Sequence, residues 1–546
     1  MTRCMQAILF TKKIRYLFIT CIISLQLWGQ IPSNFLDVKH YSFAINLNDS
    51  TNIISGKALI SVGFTGKTSI ITFDLAHKNQ DGKGMEVTHV SKNDKPLQFY
   101  QDAQHLYIQD EGSPGIVNTY QINYEGVPID GLIISNTKYG QRSFFADNWP
   151  NRAHNWIPCN DHPSDKATVE FMVTAPSHYQ VVSNGRLLEE INLPDNQKFT
   201  HWLDTAQLPT KVMVIGVTQF AVQYTGDVDC IPVSSWVYPE NRDSGFAHYA
   251  IAKNILSWYI QHIGPYGFEK LANVQSKTIF GGMENAGCIF YFENSVNSKG
   301  IESLFAHEIA HQWFGDNATE MDWPHLWLSE GFATYMTELY FEDKYGSDTL
   351  KSMLQEQRND VLAFYTKHQT PVVDTSDKNN LMHLLNANSY QKGGWVLHML
   401  RQKLGDHLFW KGISTYYQNY AGRNASTMDL KKIFEQVSGQ NLSVFFQQWL
   451  YRAGQPELKI HWENNLQNKK VIIHIEQQQS VLFDFPLQIA FIKGNKKIIK
   501  TFSIKDKMSN VLVSLPFTPD EIIIDPNVNL LFKMNELEKV ATKKGE

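Results

Sequence analysis

The chain has 546 residues, of which 43% are hydrophobic and 19% charged, with a formal net charge of −5. That composition is ordinary for a globular chain of three or four domains at about 150 residues each, and it excludes collagen-like, coiled-coil and disordered classes. No basic stripe is visible, which argues against nucleic acid as a partner, and five cysteines are too few for a disulfide-stapled scaffold.

Residues 2–15 carry Arg3, Lys12, Lys13 and Arg15 and no acid, and an uncharged run follows from Tyr16 to Gly29. The run is too short to span a bilayer core, which takes about 20 helical residues. The pattern resembles a secretory signal peptide over residues 1–29, with Leu27 bulky for its place before a cut at Gly29; an uncleaved anchor or a mere apolar start are the alternatives. The expectation is an exported protein, periplasmic or extracellular, with no membrane span once the signal is removed. Cys159, Cys230 and Cys288 then remain, too widely spaced for a metal cluster and sufficient for one disulfide at most. Each reads as a small buried residue.

From about residue 37 to 225 apolar and polar residues alternate in short runs, as in KHYSFAINLN, YQINYEG and ATVEFMVTA, with Gly, Pro and Asn between them. Helical spacing takes over near Gly245 and dominates to about Arg452. Alternation returns after Gly454-Gln455-Pro456 in LKIHWENN, KKVIIHIEQ, FPLQIAFIKG and KKIIKTFSIK. The expected layout is a multidomain α+β chain: a signal segment (1–29), an N-terminal all-β domain (30–228), a mostly α catalytic domain (229–454) and a C-terminal β-sandwich (455–546).

The chemistry concentrates in ESLFAHEIAHQWFGDNATEMDWPHLWLSEGFATY, residues 302–335. His307 and His311 are four apart in a helical pattern, so both imidazoles face the same side one turn apart and can reach one ion. Glu308 lies about 100° round the helix from His307, where it can act as general base on a water. The flanks Leu304, Phe305, Ile309, Trp313 and Phe314 are apolar, and burying two histidines and a glutamate among them calls for a partner such as a divalent cation. A catalytic zinc site takes three protein ligands, and Glu330 is the next candidate, with Asp322 and Pro324 suited to start its helix. His325 is a rival third ligand. Upstream, GGMENAG (281–287) reads in two ways: a backbone edge with a carboxylate, Glu284, able to pair with a substrate ammonium, or a Gly-rich turn before the strand CIFYF.

GGMEN, HEIAH and WLSEGFA in this order resemble the zinc aminopeptidases related to aminopeptidase N and leukotriene hydrolase. DVKHYSFAINLN with ISGKALISV, RAHNWIPCNDHPSDKATVEFMV and YQKGGWVLHML resemble further stretches of the same family, so the likeness covers about residues 37–455. It implies a thermolysin-like catalytic domain in which His307, His311 and Glu330 hold one Zn²⁺ and Glu308 activates the water. It also implies that Glu284 binds the α-amino group, that Tyr390 hydrogen-bonds the oxyanion, and that Gly281, Gly282, Met283 and Asn285 line the substrate. The implied substrates are peptides with a free N-terminus, cut at the first peptide bond.

Three departures stand out. Ser329 replaces the Asn usual before the third ligand. A second amine-binding residue falls on Asp147 when counted back from Arg152 and on Trp149 when counted back from Pro158. The residues after Pro456 read as strands, so the expectation is no C-terminal helical domain. Epoxide hydrolysis of the leukotriene-processing type and an inactive peptide-binding scaffold are the alternative readings, and the complete set of chemistry-bearing residues argues against the second.

Overall fold

In the computed structural model the described residues are 35–376, 380–465 and 470–540; the segment read as a signal peptide lies outside them. The N-terminal region is built on an eight-stranded sheet. Its centre is Leu36–Asn46, which pairs antiparallel with Ile54–Phe64 and parallel with Lys166–Pro176. The alternation read from KHYSFAINLN sets the faces. Val38, Tyr41, Phe43 and Ile45 are buried, and Tyr41, Phe43 and Phe171 stack in series, ring centroids 5.4 Å apart. A four-stranded sheet containing Arg142–Ala146 packs beside it and delivers the segment that begins at Asp147 to the central region.

The central region opens with a five-stranded sheet in which Ala221–Val228 pairs with Ile231–Val237, followed by Leu271–Ser276, Cys288–Phe292 and, at the edge, Gly282–Met283. A division at 228/229 therefore falls inside a hairpin. The tip of that hairpin carries Cys230, which is exposed against the expectation of a buried residue; Cys159 and Cys288 are buried as expected, and among the described residues the three are unpaired. The helices follow: Ile301–His311, Trp327–Tyr345, Ser347–Tyr365, Gly393–Leu404 and Asp406–Tyr420. Gly315, at φ +122°, turns the chain after the first of these, and a Cβ there would lie 2.2 Å from Ser329 Oγ. Such a position admits glycine alone without rearrangement.

Beyond Pro456 the described residues form strands in a four-stranded and a three-stranded sheet. These sheets share one hydrophobic core with the central helices: Trp449 packs on Phe483, and Arg358 donates to Asp525 and to the Leu530 carbonyl at 2.7 Å each. The strands thus buttress those helices. Among the described residues no helix is long and apolar enough to cross a membrane.

Candidate active site

The helix Ile301–His311 presents His307 and His311, and the helix Trp327–Tyr345 presents Glu330 from its first turn. The Nε2 atoms of the histidines are 3.1 Å apart, and Glu330 Oε2 lies 3.4 Å from one and 3.3 Å from the other. Ligands about 2.0–2.1 Å from a tetrahedral zinc ion stand about 3.3 Å from one another, so this triangle has the size zinc requires. Nδ1 of His311 faces the Phe314 carbonyl at 3.1 Å and Ser329 Oγ at 3.0 Å, which leaves Nε2 as the lone-pair donor. Burial lowers His307 below the usual imidazole range. For His311 burial acts in the same direction, but the carboxylates of Glu330, Glu284 and Glu308 outweigh it and raise the group to about 10. The surrounding carboxylates thus favour positive charge at His311, while burial disfavours it at His307.

His325, the rival ligand, turns away and contacts Thr427 Oγ1 at 2.9 Å. Asp322 accepts from the Trp323 backbone N–H and starts a short 3₁₀ turn, Trp323–His325, which leads into the Glu330 helix.

A cavity of about 240 Å³ opens over the triangle. Its walls include Glu308, Glu284, Tyr390, Gly281, Gly282 and Met283, with Trp149, Phe280, Leu304 and Leu385 supplying apolar surface. Glu308 is buried beside Gly282, where a Cβ would lie 2.2 Å from Glu308 Oε1; the glycine makes the room that the carboxylate occupies. Burial, reinforced by Glu284 and Glu330, pushes the Glu308 carboxyl well above its usual range. Gly282–Met283 pairs on one side only, with Phe290 and Tyr291, and its other backbone edge is not paired within the sheet. Glu284 is 5% exposed and, among the described residues, its Oε1 has no hydrogen-bond partner. A buried unpaired carboxylate oxygen costs about 1–3 kcal/mol or more, which a cationic ligand would offset.

Tyr390 sits in a single π-turn, Asn388–Lys392, with its ring stacked on His307 at 5.9 Å and 13°. Burial first, then Glu330, Glu284 and Glu308, hold its phenol well above the usual value, so it stays a proton donor. Asn285 is fully buried behind the loop, its amide unpaired among the described residues, and it is not part of the cavity wall. Asp147 is not part of that wall either. Its Oδ1 accepts from Arg152 at 2.5 Å, and its Oδ2 accepts from Thr278 Oγ1 at 3.0 Å and from the Ile279 N–H at 2.9 Å. Trp149, the other result of the two counts, does line the cavity and meets Phe280 and Trp323 edge-on. Sequence reasoning passed over Phe280, Leu385 and Gln312; none carries a spacing signal that would have singled it out.

Residues 37–212 match the Peptidase M1 N-terminal domain and residues 248–449 the Peptidase family M1 domain. The chain is 28% identical over 443 residues to the probable aminopeptidase 2 of Sulfurisphaera tokodaii, covering 76% of this chain and 53% of that protein. It spans about half the length of the curated relatives it matches. The fold is similar to an M1 zinc metallopeptidase from Deinococcus radiodurans, at TM-score 0.68 and 24% identity over 78% of this chain and 95% of that one. It is also similar to a variant of the Deinococcus enzyme bound to a Tyr-Ser-Ala substrate, at TM-score 0.65 and 23% identity over 77% and 95%.

Proposed function

The chain belongs to peptidase family M1, and from that premise we propose that it is a zinc-dependent aminopeptidase that releases the first residue of peptides with a free N-terminus. One observation carries the reading: Glu284, a buried carboxylate with an oxygen unpaired among the described residues, lines the same cavity of about 240 Å³ as the His307–His311–Glu330 triangle. The substrate's α-ammonium pairs with Glu284, and its backbone lies along the Gly281–Gly282–Met283 edge. The first peptide bond then falls beside Glu308 and Tyr390.

His307, His311 and Glu330 would hold zinc, which when bound would polarise the scissile carbonyl and acidify the attacking water. Glu308 takes the water's proton as the oxygen attacks the carbonyl carbon. Tyr390 donates its O–H to the developing oxyanion, where a lost donor costs about 3–4 kcal/mol. Glu308 then returns the proton to the leaving nitrogen as the C–N bond breaks, giving a free amino acid and a shortened peptide. The naming of the relatives as aminopeptidases and the bound tripeptide in the Deinococcus variant support this direction.

Glu284→Ala tests the anchor. It should raise KM for unblocked aminoacyl amides and erase the preference over N-acetylated ones; an unchanged preference removes Glu284 from that role. The basic start and apolar run of residues 1–29 support export, to the periplasm or the medium. N-terminal sequencing of mature protein should begin near residue 30, and an intact Met1 in the exported fraction would refute cleavage.

A further inference from the structure

The segment that carries Glu284 has no slack at either end. At its upstream end Asp147 Oδ2 accepts from the Ile279 N–H and from Thr278 Oγ1, while Oδ1 is held by Arg152. At its downstream end a single side chain, Gln312, brackets the anchor. Its Nε2 donates to the Glu284 carbonyl at 2.5 Å and to Asp316 Oδ2 at 2.8 Å. Its Oε1 accepts from the Gly287 N–H at 2.8 Å and from the Tyr266 hydroxyl at 3.2 Å. Two donors and two acceptor sites exhaust what a glutamine amide offers, so its orientation is fixed: a flipped amide would set N–H against the Gly287 N–H. Gln312 is fully buried and follows His311 directly in the chain. The path from the metal triangle to the anchor is therefore one peptide bond, one side chain and one hydrogen bond.

We infer that Gln312 and Asp147 are positioning residues that hold segment 278–287 in register with the metal helix, fixing the span between Glu284 and the triangle and so confining cleavage to the first peptide bond. Asp147 acts from behind the loop rather than on the substrate amine, because both its oxygens are already engaged and it is not part of the cavity wall. The consequence for specificity rests on the aminopeptidase reading above; the holding of the loop does not.

The test uses the full zinc-loaded chain and the variants Gln312→Leu, Asp147→Ala and Asp147→Asn, with two readouts. Amide hydrogen exchange reads the holding directly. Gly287 should lose protection by at least about tenfold in Gln312→Leu and Ile279 by at least about tenfold in Asp147→Ala. Asp147→Asn keeps an acceptor and should restore most of the protection. Kinetics read the consequence. KM for unblocked aminoacyl amides should rise, and the preference over N-acetylated amides should fall, by about tenfold or more, with zinc content unchanged and kcat the lesser effect. Unchanged exchange at both amides overturns the proposal, as does a kcat loss with KM and the preference intact. If the parent releases nothing from unblocked amides while exchange behaves as expected, the aminopeptidase reading fails and the clamp stands.

Discussion

Ser329 Oγ lies 3.0 Å from Nδ1 of His311, beside the Phe314 carbonyl at 3.1 Å from the same nitrogen. The serine stands where the resemblance places an asparagine, and here it shares the orientation of the His311 imidazole with one backbone oxygen. Ser329→Ala should weaken zinc retention by about tenfold, the low end for a lost partner of a ligand histidine. Dialysis against graded chelator with metal analysis checks this. Retention equal to the parent would mean that the Phe314 carbonyl alone orients His311.

Glu308→Gln keeps the shape beside Gly282 and removes the proton acceptor. It should retain zinc and lose turnover by roughly 10²–10⁴-fold, the usual contribution of a positioned base. A near-normal rate would take Glu308 out of the base's role.

Tyr390→Phe removes one hydroxyl from a phenol already stacked on His307. The loss should fall on kcat by roughly 10²–10³-fold with KM little changed, as for an oxyanion donor. A KM effect with kcat preserved would make Tyr390 a binding residue instead.

Lys392 follows Tyr390 by two positions, is fully buried, and donates to the Gly454 carbonyl at 2.8 Å. Burial lowers its ammonium to about 7. Between about pH 7 and 10.5 the unfolded chain binds a proton that the folded chain does not, so this group makes stability rise with pH across that window. The Tm of the parent, measured against Lys392→Met, should therefore gain from pH 7 to pH 9. A constant difference across that range would show that Lys392 stays charged when folded.

His307, Glu308 and His311 were legible because helical periodicity alone brings them to neighbouring positions and the apolar flanks mark the helix as buried, whereas Glu330, on a separate helix, was reached from the need for a third ligand and the family resemblance. The alternating strands were legible for the same reason, since a period of two fixes which face is core. Asp147 was less so. Its spacing to Arg152 matched the family, but which way it faces depends on the extra residues before Pro158, and the fold turns it onto Ile279 and Arg152. Gln312 was invisible because its four partners come from Tyr266, Glu284, Gly287 and Asp316, brought together only by tertiary packing. The strand Ala221–Val228 carried an all-β texture and still joined the catalytic sheet, because local pattern reports strand and not sheet membership.

On the proposed reading, cleavage depends on the metal and requires a free α-amine. The most direct test is hydrolysis of a panel of unblocked and N-acetylated aminoacyl-coumarin amides, each with and without a zinc chelator. Release should occur from unblocked substrates alone, be abolished by chelator and be restored by added zinc. Equal release from N-acetylated substrates, or no release from any substrate by protein shown to hold zinc, would contradict that reading.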